Sequence, residues 1–130
     1  MESVTVRVPA VAAYLTLLRT AVGGFAARDR LTLDQIEDLR MAVEEAALAL
    51  LRRSHDDHIA LEVRSTERGV EARLEAGAAD GTVVIDETSF SHAILRALAD
   101  ELRVEDEGGR AAVVLAKHRM ADGAAPRGRP

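Results

Sequence analysis

The chain contains no cysteine and no tryptophan. Without thiols it forms no disulfide, carries no thiolate nucleophile and offers zinc no sulfur ligand. A reducing cytoplasm is therefore the expected setting. Aromatic side chains are nearly as scarce: Tyr14, Phe25 and Phe90 are the only three in 130 residues. The core must be built from Leu, Val, Ile and Ala, and nucleic-acid bases find no stacking platform. A basic face is missing too. Seventeen Lys and Arg stand against 22 Asp and Glu, a formal net charge of -5. Phosphate backbones would be repelled, so no nucleic-acid partner is expected. No apolar run reaches the roughly 18 residues that span a bilayer, so no membrane association is expected either. The opening MESVTVRVPA also lacks the basic-then-apolar order of a secretory leader.

What is present is an ordinary globular balance, 48% apolar and 30% charged, at a length that suits one domain. Val4, Val6 and Val8 alternate, predicting a first strand closed by Pro9. From Ala10 to Ala27 the period changes. Val11, Leu15, Leu18, Val22 and Phe25 mark one helical face, widened by Tyr14, Leu17 and Ala21. A second helix opens with a capping box, Thr32 and Gln35, and carries Asp34, Glu37 and Asp38 near its positive end. Its apolar face is Ile36, Leu39, Val43, Ala46, Ala47 and Leu50, and Arg52 and Arg53 close it.

Beyond that helix, alternation through Ile59, Leu61, Val63 and then Val70, Ala72, Leu74 predicts a hairpin. A softer segment suggests a short strand at Thr82 to Ile85. A third helix is expected from Ser89 to Glu101, with Phe90, Ile94, Ala97 and Leu98 inward, followed by a closing hairpin, LRVED and RAAVVLAKH. The order β-α-α-β-β-α-β-β predicts an α+β, two-layer sandwich: a mostly antiparallel mixed sheet of five strands, with three helices on one face. One domain over residues 1–118 and a disordered Gly/Pro-rich tail over 119–130 complete the expectation.

Function is hardest to read at AVEEAALALL, residues 42–51. At 100° per residue, Glu45 lies opposite the main apolar face, among Met41, Leu48, Ala49 and Arg52. That suggests a helix covered from both sides. Partial desolvation suits a carboxylate to general-base work; equally, a surface Glu solvates an otherwise apolar helix. His55 and His58 are spaced as a possible zinc pair or as two solvated loop histidines. The acidic run at 105–107 reads as a solvated turn without calcium or magnesium ligand spacing.

Three segments add a family. LTLDQIEDLRMAVEEAALALLRRS resembles the second helix of the RsbW/SpoIIAB anti-sigma factors, small serine kinases with the Bergerat (GHKL, histidine-kinase-like ATPase) fold. PAVAAYLTLLRTAVGGF is similar to the family's first helix, and SFSHAILRALADELRVEDEGGRAAVVLAKH to its last helix and closing hairpin, closest to the actinobacterial branch. The resemblance covers about residues 3 to 118. It implies that Glu45 stands at the catalytic Glu, and Ala49 where an Asn should hold Mg²⁺. Ala76 replaces the adenine-reading Asp, and Ala78 and Asp80 replace two glycines of the nucleotide box. Asp86 and Glu87 sit where a phosphate cradle should be. It further implies that Arg19 is the first-helix contact to both partners. The expected function is an anti-sigma factor that binds an alternative sigma factor of the stress or sporulation type. A STAS-domain anti-anti-sigma protein would release it. A homodimer is expected, with Glu45 a catalytic remnant and no cofactor or metal. The alternatives are an active ATP/Mg²⁺-dependent serine kinase, or a regulatory domain of this type that binds no sigma factor.

Overall fold

The computed structural model describes residues 2–79 and 83–120. Five strands form one sheet in the order β1-β2-β3-β5-β4: β1 Ser3–Pro9, β2 His58–Ser65, β3 Gly69–Gly77, β4 Glu101–Glu107 and β5 Arg110–His118. Every pairing is antiparallel, so the expected parallel admixture is absent from the described residues. The two hairpins explain this, because a tight turn can only return the chain antiparallel. Leu61, Leu74 and Val113 lie in one register row and Val63, Ala72 and Leu115 in the next, all buried against the helices. The opposite face carries the interleaved charges: Arg73 and Arg103 flank Val114, and Glu62 lies beyond Arg73 in the same row.

Three helices cover the apolar face: α1 Leu15–Ala27, α2 Leu33–Arg53 and α3 Phe90–Leu98. The first helical segment is shorter than expected. Residues Ala12–Tyr14 form a 3-10 turn before α1 begins. The capping box of α2 forms as read. Gln35 N donates to Thr32 Oγ1, and the Gln35 carboxamide accepts from Thr32 N. The core is the expected aliphatic one, with Leu18, Leu39, Leu50, Ile59, Leu74, Leu95 and Leu115 fully buried.

Three further expectations fail. Val83 to Ile85 form no strand, although Val84 and Ile85 are buried in the core; Thr82 lies outside the described residues. Helix α3 stops at Leu98 and turns its face. Leu95 is its buried residue, while Phe90 is 80% exposed and Ala97 also faces outward. Of the four residues expected inward, Leu98 packs against the core and Ile94 is partly buried, while Leu95 and Ser91 take the places expected of Phe90 and Ala97. Finally, the cover over α2 away from the sheet is uneven: Ala49 is buried and Leu48 packs against the core, but Met41 is half-exposed, and α1 and α3 flank the helix. Of the expected tail, Arg119 is anchored: its guanidinium donates to Thr66 O at 2.7 Å and pairs with Asp29 at 3.4 Å. Residues 121–130 lie outside the described residues.

Lys117 is the one buried charged residue among those described, 8% exposed. Its ammonium donates to Leu98 O at 2.7 Å, at the carbonyl end of α3, and to Asp38 on α2 at 3.2 Å. A cation there satisfies a helix terminus and ties two helices to β5. The same stretch of β5 demands a glycine on its neighbour. A Cβ at Gly69 would lie 2.0 Å from Lys117 O. Gly69→Ala must push the two strands apart. It is expected to destabilise by about 2 kcal/mol or more, in the upper part of the overpacking range, read as a lowered urea midpoint.

Candidate functional site

Helix α2 lies between α1 and α3, and its two adjacent acids serve different neighbours. Glu44 turns to α1, where Arg19 Nη1 donates to Glu44 Oε1 at 3.1 Å. Glu45 turns to α3, where Ser91 Oγ donates to Glu45 Oε2 at 2.6 Å. The 100° step between consecutive helical residues is what splits the pair. Both acids are partly buried. The residue singled out as an acid–base remnant is therefore a hydrogen-bond acceptor tying α3 to α2. Arg19, singled out as a partner contact, sits in the α1–α2 seam beside Glu44. The roles of Glu44 and Ser91 were not evident from the sequence. Their partners lie 25 and 46 residues away, so no local spacing announces them.

One turn beyond Glu45, Ala49 is 3% exposed. Ala76 and Ala78, at the end of β3, are 0% and 1% exposed. All three belong to the same core cluster as Val84 and Ile85. Methyl groups offer neither oxygen ligands nor hydrogen bonds. A cavity of about 120 Å³ remains at this end of α2, lined by Ala49, Arg52, Arg53, Ser89 and Ser91 among others. Small-molecule sites commonly occupy about 300–1,000 Å³. A larger cavity, about 360 Å³, opens between α3 and β4. Val83, Val84, Ile85, Leu102 and Val104 line it together with three titratable side chains, Glu87, His92 and Asp106. Asp80 lies outside the described residues.

The segment entering α3 is anionic. Asp86 accepts from Thr88 N at 2.8 Å and from Thr88 Oγ1 at 2.7 Å. These bonds, the backbone one foremost, hold its carboxyl below the usual range. Ser89 caps the helix by accepting from His92 N. Among the described residues, no three His, Asp or Glu side chains are placed to hold a metal. His118 pairs with Glu101 at 2.6 Å. His55 stands exposed ahead of β2, where its backbone N–H donates to Gly77 O.

Comparison with known proteins adds a relationship to this geometry. No protein-family profile matches the chain. Over 111 residues it is 34% identical to the anti-sigma-F factor RsbW of Mycobacterium tuberculosis (strain CDC 1551 / Oshkosh), covering 83% of this chain and 64% of that protein. The chain is a relative of the RsbW proteins. The serine-protein kinase RsbW of Bacillus cereus (strain G9842) is 30% identical over 89 residues, covering 68% of this chain and 55% of that one. The chain thus spans less than two thirds of the length of either relative. A crystal structure of the RsbU and RsbW domains of Rv1364c from Mycobacterium tuberculosis superposes with a TM-score of 0.71. It covers 91% of this chain and 32% of that chain at 15% identity. At that identity the likeness is one of fold, and it agrees with the α+β sandwich. No helix among the described residues is long and apolar enough to cross a membrane.

Asp86 sets a pH expectation for this RsbW-related chain. A folded carboxyl held below its unfolded value contributes stability above the unfolded pKa, and that contribution is lost as pH falls through the folded value. Asp56 and Glu105 shift in the same direction, Asp56 mainly through the backbone N–H of Asp57 and Glu105 mainly through Arg73. Stability should therefore decline as pH drops below about 4. Asp86→Asn should decline less over that window, measured as thermal midpoints across an acid pH series.

Proposed function

We propose that the chain is an anti-sigma factor that acts by binding and not by phosphoryl transfer. In this reading it holds an alternative sigma factor of the stress or sporulation type away from RNA polymerase, in the cytoplasm and as a homodimer. A STAS-type anti-anti-sigma protein competes for it. The single observation that carries the non-catalytic part is the burial of Ala49, Ala76 and Ala78 in one core with Val84 and Ile85. Those positions correspond, by resemblance, to the metal ligand and the nucleotide box of a Bergerat-fold kinase. Mg²⁺ requires oxygen ligands in an octahedral shell, and three methyl groups supply none. Asp86 and Glu87 add negative charge where a triphosphate would approach. Phosphoryl transfer depends on positioning and charge neutralisation, so the residues present do not fit Mg²⁺-ATP.

Binding needs surfaces, and these remain. The M. tuberculosis relative is named an anti-sigma-F factor, which supports a sigma factor as the partner. Arg19 is the contact to a partner carboxylate, since a guanidinium offers a planar fork for bidentate pairing. Val11, Tyr14 and Leu17 remain exposed around α1, and Val4 on the edge strand β1. Together they supply an apolar surface and an unpaired strand edge, which suit dimerisation.

Two measurements test the proposal. Saturating Mg²⁺-ATP should leave the melting temperature unchanged. A ligand present at 100 times its Kd would add about 2.7 kcal/mol, and a rise of several degrees would favour the serine-kinase reading instead. Arg19→Glu sets a second carboxylate against Glu44 and should lower the melting temperature only slightly, but it should lose co-purification with an alternative sigma factor from the same genome. Undiminished co-purification would remove Arg19 from the interface.

A further inference from the structure

We infer that Glu44 is a placeholder for the partner's carboxylate. In the free chain it occupies the Arg19 guanidinium, and the partner must displace it on binding. The inference rests on the binding reading above, in particular on Arg19 as a contact residue.

The geometry is that of a pair built to open. Glu44 is the one carboxylate among the described residues within ion-pair distance of Arg19. A single contact joins them, Nη1 to Oε1 at 3.1 Å, and not the two parallel hydrogen bonds of a bidentate fork. The side chains are 35% and 39% exposed, so water and an incoming acid both reach the seam. Pairs this exposed shift an equilibrium by only a factor of a few. They nevertheless keep an arginine from standing unpaired, and they screen it from unsuitable anions. A better-aligned carboxylate from outside gains the second hydrogen bond that Glu44 does not make.

The surroundings define the kind of partner. Met41 and Leu48 lie three residues before and four after Glu44, on the same side of α2, with Met41 half-exposed and Leu48 partly buried. Residues at those spacings are neighbours on a helix surface. One turn further, Arg40 is held by Glu37 at 3.4 Å, so the next cation along the seam is also engaged from within the chain. The seam therefore fits a segment with an Asp or Glu next to an apolar side chain. The apolar group would settle over Met41 and the acid would take Arg19. Two competitors that each present a carboxylate would make the same demand on the seam, so they could follow one another on the same guanidinium.

The experiment compares four chains in calorimetric titration against the alternative sigma factor of the same genome that co-purifies with the wild type: wild type, Arg19→Glu, Glu44→Gln and the double exchange Arg19→Glu/Glu44→Arg. Glu44→Gln removes the competing charge but keeps the shape, and should tighten binding about two- to five-fold. That gain should shrink as salt is raised. Arg19→Glu should abolish binding. The double exchange restores an internal pair of inverted polarity, so it should melt like wild type yet fail to bind, which separates recognition from folding. If Arg19→Glu weakens binding while Glu44→Gln leaves it unchanged or weaker, Glu44 is no placeholder and the inference falls, while the binding reading stands. If Arg19→Glu binds like wild type, or the wild type does not bind at all, the Arg19 reading itself is overturned and the inference with it.

Discussion

Close packing by small aliphatic side chains around α2 is the constraint on which the rest of this structure depends. With three aromatic residues in the chain, Phe25 is the one ring packed against the core, so backbones must approach one another instead. Alanines at 42, 46, 47 and 49 on the helix, and at 72, 76 and 111 on the sheet, are all buried. Interiors pack to the density of organic crystals, and alanine-lined surfaces reach that density only at short separation. The absence noted first in the composition thus sets the distance between helix and sheet, and it fixes α2 between its two neighbours.

That closeness also decides what the adjacent acids do. A helix gripped on two flanks leaves Glu44 and Glu45 no common pocket to share. One is drawn into the α1 seam by Arg19, the other into the α3 seam by Ser91. The same packing brings Val84 and Ile85 into the core with Ala49. An end of α2 that could have bordered a polar cleft is bordered by side chains of this chain and a cavity of about 120 Å³. The larger opening beside β4 combines five aliphatic side chains with Glu87, His92 and Asp106. Charge is instead concentrated on the helix-free face of the sheet, where Arg73–Glu105, Arg64–Glu71 and Arg110–Glu75 pairs cover the small residues of β5. Such exposed pairs add little stability each. Their effect is to keep that face wetted and the apolar rows on the other side.

Much of the architecture was legible because local signals agreed with one another. The capping box of α2, the alternation of β2 and β3, and the closing hairpin all form where their residues indicate. Gly108 and Gly109 adopt the positive φ angles that the last hairpin turn requires. Failures occurred where the more apolar local face was not the buried one or where burial had no period. Phe90, Ile94, Ala97 and Leu98 form a better apolar stripe than Ser91, Leu95 and Leu98, and only the position of α2 and β4 selects Leu95 over Phe90 and Ala97. Val84 and Ile85 were read as a strand because they are branched and consecutive, yet they are buried without a ladder.

The sequence by itself determined the layers, the helix caps, the aliphatic core and the presence of bare methyl groups at 49, 76 and 78, because these follow from residue type and short-range period. Tertiary structure alone decided the partners of Glu44 and Glu45, the buried ammonium of Lys117 beneath α3, and the turn of α3 that leaves Phe90 in solvent. Each depends on which elements lie side by side. That adjacency is set by how the sheet and helices bury their surfaces together, and no window of neighbouring residues contains it.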